Sequence, residues 1–222
     1  MNEYKVQIAS KEHLYLAEEI CWHMEESAKQ RGTGIAKRSP EYIRRKMEEG
    51  KAIVALTDAG QWVGFCYIET WDHGKFVANS GLIVHPDHRK SGIAKMIKEK
   101  AFQLSRAKYP NARIIGITTS LAVMKINSDL GYKPTTFSEL PVDEAFWKGC
   151  SSCVNFDVLT RTGRKHCLCT GMMFDPSWEK EKERKPSWNF LKNAKIYERW
   201  NKIKQRLLLR HDENEEIEEP VL

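Results

Sequence analysis

Residues 79–104 read NSGLIVHPDHRKSGIAKMIKEKAFQL. Leu82, Ile83 and Val84 form a short apolar run, as a buried strand does. Pro86 ends that strand, because proline has no N–H to give a ladder. After Arg89-Lys90-Ser91-Gly92-Ile93-Ala94, the residues Ile93, Met96, Ile97, Ala101 and Leu104 recur on one helical face. The reading is strand, tight turn, helix, with small residues where the helix begins. The first N–H groups of a helix have no intrahelical partner and carry partial positive charge, so an anion such as a pyrophosphate fits there. Gly92 and Ala94 leave room for phosphates at the main chain, and Arg89 and Lys90 add full charge. An ordinary βα turn with a solvated basic edge would use the same residues, and glycine spacing alone does not separate the two.

Arg89-x-x-Gly92-x-Ala94, directly after Val84-x-Pro86, resembles the acyl-CoA-binding motif of the GNAT N-acetyltransferase superfamily. Residues 4–137 follow that family more loosely. The resemblance implies an α/β (α+β) fold with flanking helices and a mixed central sheet, splayed open beside this strand to take the pantetheine of CoA. It implies that Ile83, Val84, Arg89, Lys90, Ser91, Gly92, Ile93 and Ala94 hold an acyl-CoA co-substrate, acetyl-CoA or succinyl-CoA. Main-chain donors near Val84 would polarise the thioester carbonyl.

The chain has 222 residues, enough for a domain of about 150 residues and an appendage. Hydrophobic residues make up 41%, which suits a normal core. No apolar run approaches the roughly 18 residues that span a bilayer, and the N-terminus has no secretory apolar region. A membrane partner is therefore not expected and a cytoplasmic location is. The six cysteines then read as reduced thiols or metal ligands rather than disulfides. The net charge of +6 is mixed along the chain, so nucleic acid is not an expected partner.

Taken in order, residues 4–9 alternate as a first strand, and Ser10 caps a helix carrying Leu14, Ala17, Ile20, Cys21 and Met24. Residues 30–40, QRGTGIAKRSP, break it with two glycines and carry Arg31, Lys37 and Arg38. A second helix starts at Pro40, with Tyr42, Ile43 and Met47 as its buried side. Within the resembled fold this helix–loop–helix borders the acceptor, and a basic loop there suits a carboxylate-bearing amine. A solvated basic loop would look the same. Strands follow at 52–56 and 62–70, joined at Asp58-Ala59-Gly60, with Glu69 near the end of the second. The resemblance places the reacting amine there, so Glu69 is the candidate base, directly or through water. A strand at 112–118 and a helix at 121–130 complete the unit, closed by Leu130-Gly131-Tyr132. Many family members place a Tyr acid five residues before that aromatic. Here the position is Asn127, which can donate a hydrogen bond to sulfur or pantetheine but cannot act as an acid at neutral pH. The basic loop and this helix are similar to those of short N-acetylglutamate synthases, which implies a glutamate-like acceptor.

Beyond residue 145 the standard domain gives no account of the chain. Residues 146–175 read as a cysteine-bearing β-hairpin, with strands at 154–159 and 166–174. Cys150, Cys153, Cys167 and Cys169 supply the four thiols a structural zinc needs, although buried packing thiols fit too. Residues 176–210 read as a basic amphipathic extension, with a helix at 187–209 whose Ile196, Trp200, Ile203 and Leu207 stripe covers its own domain or a homodimer partner. Residues 211–222 form an acidic tail without periodic pattern.

Overall fold

The structure is a computed structural model and describes residues 4–32 and 37–179. The expected helix at 187–209 and the acidic tail lie outside the described residues. The sheet lies in one unit, Met1–Pro176. Its strands are β1 (Tyr4–Ile8), β2 (Ala52–Thr57), β3 (Trp62–Trp71), β4 (Phe76–Val84), β5 (Arg113–Thr118), β6 (Lys133–Thr135) and β7 (Thr170–Phe174). They lie in the order β1-β2-β3-β4-β5-β7-β6. Every pair is antiparallel except β4–β5.

That parallel pair positions the site. It extends only from Phe76↔Arg113 to Ala78↔Ile115. Beyond it, among the described residues, Asn79 to Val84 have no strand partner on the β5 side, so the sheet opens there. On its other edge β4 follows β3, with a register shift between Phe65↔Ile83 and Tyr67↔Ser80. Gly81 makes that shift possible, because its φ is +65° and a Cβ would stand 2.6 Å from the Tyr67 ring.

Four helices flank this region. A 3-10 turn over Lys11–Leu16, entered at Ser10, leads into α1 (Ala17–Arg31). α2 (Pro40–Glu48) starts with Pro40 in its first turn, and Ser39 Oγ accepts from the Tyr42 N–H at 3.2 Å. α3 (Ile93–Lys108) follows the turn after β4, and α4 (Leu121–Asp129) is capped by Ser120. Ile20, Met24, Ile43 and Met47 from α1 and α2 pack on Val54, Phe65 and Tyr67. Ile93, Ile97, Ala101 and Leu104 from α3 pack on Ile53, Val63, Cys66, Ile68 and Val77 in a separate cluster. Each such aliphatic side chain contributes about 1.5–3 kcal/mol on full burial.

Two expectations are corrected. Met96, assigned to the buried face of α3, is exposed, and Lys98 is buried instead. Residues 154–159 are not a strand. They fall mostly in a short helix, Phe156–Arg161, which buries Leu159 and closes where Thr162 Oγ1 donates to the Val158 carbonyl at 2.8 Å. The strand after it starts only at Thr170, and its partners are β5 and β6 rather than the preceding segment.

Candidate active site

The turn between β4 and α3 has the conformation an anion site needs. Lys90 and Gly92 have φ of +64° and +88°, and a Cβ at Gly92 would meet nothing within 4 Å. Glycine therefore serves conformation there, not packing. Ser91 Oγ donates to the His88 carbonyl at 2.5 Å, and Arg89 donates to the Val84 carbonyl and to Ser27 Oγ on α1, both at 3.3 Å. Lys90, Ser91 and Gly92 are exposed, Ile93 is buried as the anchor, and the first turn of α3 holds no acidic residue. Ile83 is buried and Val84 half-buried on the open edge of β4, while Ala94 is half-buried at the head of the helix.

The sheet opens over Asn127. Its side chain is buried on α4; Nδ2 lies 3.7 Å from Met172 Sδ, and Oδ1 finds no partner among the described residues. A Cβ on Gly116, the first β5 residue past the last β4 pair, would come 3.5 Å from Asn127 Nδ2. An orphaned buried acceptor beside the open edge fits an amide donor from a pantetheine arm. On the α3 side, the fully buried Lys98 donates to Asn79 Oδ1 at 3.3 Å. The Tyr132 hydroxyl donates to the same oxygen at 2.9 Å, and Asn79 Nδ2 donates to Ser105 Oγ at 2.9 Å. Burial lowers the Lys98 pKa and raises that of Tyr132.

Glu69 lies opposite Ala78, which is itself paired with Ile115, so the carboxylate is level with the point where the sheet opens. Its partner is Lys46 on α2, whose Nζ stands 2.5 Å from Glu69 Oε1. Burial pushes the Glu69 carboxyl up to about 7 against the pull of Arg38, and pushes the Lys46 ammonium down to about 8. Arg38 Nε donates to the Tyr67 hydroxyl at 2.8 Å, and its guanidinium lies 5.2 Å from the centre of the Tyr42 ring. Tyr67 is two residues before Glu69 on the same strand and so on the same face. The structure thus brings Arg38 and Glu69 together. It turns Lys37 away: that ammonium is exposed, 3.6 Å from Glu25. Arg31 ends α1, and its side chain lies outside the described residues.

Lys46 and Tyr67 escape a reading by residue type. Lys46 has a sequence signal nonetheless, since it sits with Ile43 and Met47 on the buried side of α2. A cation on an apolar face needs a partner or a purpose.

The four cysteines expected to hold zinc are not aligned on a hairpin. Among the described residues no group of three or more His, Cys, Asp or Glu side chains is arranged to hold a metal ion. The hairpin that was to align the thiols is absent, and Cys167 and Cys169 precede β7. The four thiols still influence one another: burial first, then Cys167, Cys153 and Cys150, push Cys169 up to about 12. All four are free cysteines.

An open parallel pair, a left-handed turn and a basic helix start thus meet at one end of β4. Residues 16–125, which hold both the turn and Glu69, match the acetyltransferase (GNAT) family. No match was found among curated proteins. Among solved structures, the chain is similar to N-acetylglutamate synthase from Neisseria gonorrhoeae, crystallised with coenzyme A and N-acetyl-glutamate (14% identity, TM-score 0.56, 79% of this chain and 35% of that one). It is similar to Rv2747 from Mycobacterium tuberculosis, in complex with CoA (14%, 0.56, 77% and 98%). A third is a phosphinothricin acetyltransferase from Sinorhizobium meliloti in complex with acetyl-CoA (14%, 0.53, 78% and 88%). The chain spans about a third of the gonococcal synthase, and likeness at this identity concerns the fold. Among the described residues no helix is long and apolar enough to cross a membrane.

Proposed function

We propose that this protein transfers an acetyl or succinyl group from acyl-CoA to the α-amine of glutamate or a similar acidic amino acid, as in arginine biosynthesis. The observation that carries the reading is that Arg38, held by Tyr67, and Glu69 lie on one face of β3 at the level where the sheet opens. Arg38 is fixed by Tyr67 and Tyr42, so its guanidinium is pre-oriented to bind a carboxylate as a fork. Glu69 then takes a proton from the ammonium of the same molecule, and burial keeps its affinity for that proton near neutrality. The α3 turn holds the pyrophosphate with Lys90 and main-chain N–H groups, and Asn127 Oδ1 receives a pantetheine N–H. Bound acyl-CoA supplies the thioester carbon that the freed amine attacks. Where Asn127 replaces the expected acid, the thiolate leaves unprotonated or takes its proton from water.

The test is thiol release from acetyl-CoA and succinyl-CoA against a panel of amines, with glutamate first. Release with acidic amino acids, and a rise of about tenfold to hundredfold in their KM in Arg38→Ala, is expected from losing a charge-assisted contact. An unchanged KM would remove Arg38 from the acceptor site. Release only with peptide amines would move the basic loop to a macromolecular substrate, and binding of CoA without release from any amine would favour an acyl-CoA sensor.

A further inference from the structure

Glu69 must discard the proton it takes, and it is only 19% exposed along its side chain. Lys46 stands beside it, 4% exposed, and its Nζ also lies 3.8 Å from Glu49 Oε2 at the end of α2. Glu49 is 36% exposed, and its carboxylate is held by Lys51 Nζ at 2.8 Å. We propose that Lys46 is the proton exit of the active site, carrying each proton from Glu69 to Glu49 and so to water.

The proposal rests on the reading of Glu69 as base. Each transfer balances. With Glu69 protonated by the substrate ammonium, Lys46 gives one of its protons to the Glu49 carboxylate and becomes a neutral amine. That amine takes the proton from Glu69, which restores the carboxylate and the ammonium. Glu49 then releases its proton to solvent. The 3.8 Å gap is closed by a turn of the Glu49 side chain or by one bridging water.

The surroundings suit a lysine that gives up a proton. Burial comes first in lowering its pKa to about 8; the charges of Lys51, Arg45 and Arg38 act in the same direction, and Glu49 opposes them. The Tyr42 ring lies 5.1 Å from Nζ. At the other end, the Lys51 hydrogen bond lowers the Glu49 pKa, so a proton that reaches this carboxylate passes on to water. A merely structural ion pair has no need of the second carboxylate, nor of a lysine in place of arginine.

Lys46→Arg separates the roles, because arginine keeps the cation and the ion pair but does not deprotonate in proteins. With acetyl-CoA and the best amine of the panel, kcat should fall about a hundredfold in both Lys46→Arg and Lys46→Met. The KM of the amine should stay within about threefold, on the scale set by loss of proton-transfer catalysis. Glu49→Gln should lower kcat several-fold, and imidazole buffer of rising concentration should restore it by accepting the proton from Lys46. If Lys46→Arg keeps wild-type kcat and pH profile, Lys46 only holds Glu69 in place and the proposal fails. If Glu49→Gln is unaffected, the route to Glu49 fails. Failure of the underlying reading looks different: Glu69→Gln would then retain activity. Should the Lys46 variants not fold, the buffer response of Glu49→Gln still decides.

Discussion

Lys46 and Lys98 are both buried against the same sheet, one from α2 and one from α3, and their surroundings differ in kind. Lys46 has a carboxylate at 2.5 Å and a second, partly exposed one at 3.8 Å. Lys98 has the neutral amide of Asn79 at 3.3 Å and the Tyr132 ring 5.4 Å from Nζ. Among the described residues no carboxylate pairs with it. A buried cation beside a carboxylate can exchange a proton, whereas one among neutral groups favours the uncharged amine. The buried lysine on the α2 side of the sheet thus has carboxylates beside it, where the proposed proton exit runs, and the one on the α3 side, among neutral groups, holds the open strands in place.

The strongest way to break this comparison is Glu69→Gln, which keeps shape and removes the proton acceptor. kcat should fall about 10²- to 10⁴-fold. The acidic limb of the wild-type pH–rate profile should fall near pH 7, because burial raises the Glu69 pKa to about that value and only the ionised form accepts a proton. A variant within threefold of wild type, with the same limb, would leave the α2 side without a base. Circular dichroism checks that its fold is intact.

A smaller effect, read in stability, probes the bulge that aligns the two sides. Gly81→Ala places a Cβ 2.6 Å from the Tyr67 ring and 2.9 Å from Met24 Cε, at a φ of +65°. Overpacking and left-handed strain together cost about 3 kcal/mol, read as a fall in the urea midpoint. Gly92→Ala is the control: its φ is also positive but its space is open, so the cost should be about 1 kcal/mol. Equal losses would mean that the contact with Tyr67 does not set the bulge.

The contrast also explains what could be read in advance. Strand, turn and helix at 79–104 were legible because Pro86, Gly92 and the apolar spacing act locally. The place of Glu69 near the end of its strand was legible from the apolar run before it. Lys46 was not, since its role depends on a partner 23 residues away that only the fold brings within 2.5 Å. Met96 and Lys98 exchanged places because apolar spacing marks a stripe but not its edges, and Asn79 gives the Lys98 amine a buried partner. The segment 154–159 misled for the opposite reason. Its six residues carry too few periods to separate strand from helix, and local contacts such as Thr162 to Val158 decide for the helix.

Lys98→Met is the finest probe of the comparison, because its sign depends on charge rather than size. Methionine fills similar volume without an amine to desolvate. If burial holds the Lys98 pKa below that of an unfolded lysine, the unfolded chain binds the extra proton. Wild-type stability then rises with pH, from the lowered pKa up to the ordinary lysine value, and the variant lacks that slope. Urea unfolding at pH 7 should find Lys98→Met within about 1 kcal/mol of wild type or above it, as for a buried charge replaced by an apolar isostere. At pH 10 the wild type should gain relative to the variant. A loss of about 3 kcal/mol or more at both pH values would instead mean that the bond to Asn79 is a main support of the α3 side. Lys98 would then hold the open strands through its bond to Asn79 at both pH values, rather than carry a desolvation cost that deprotonation relieves.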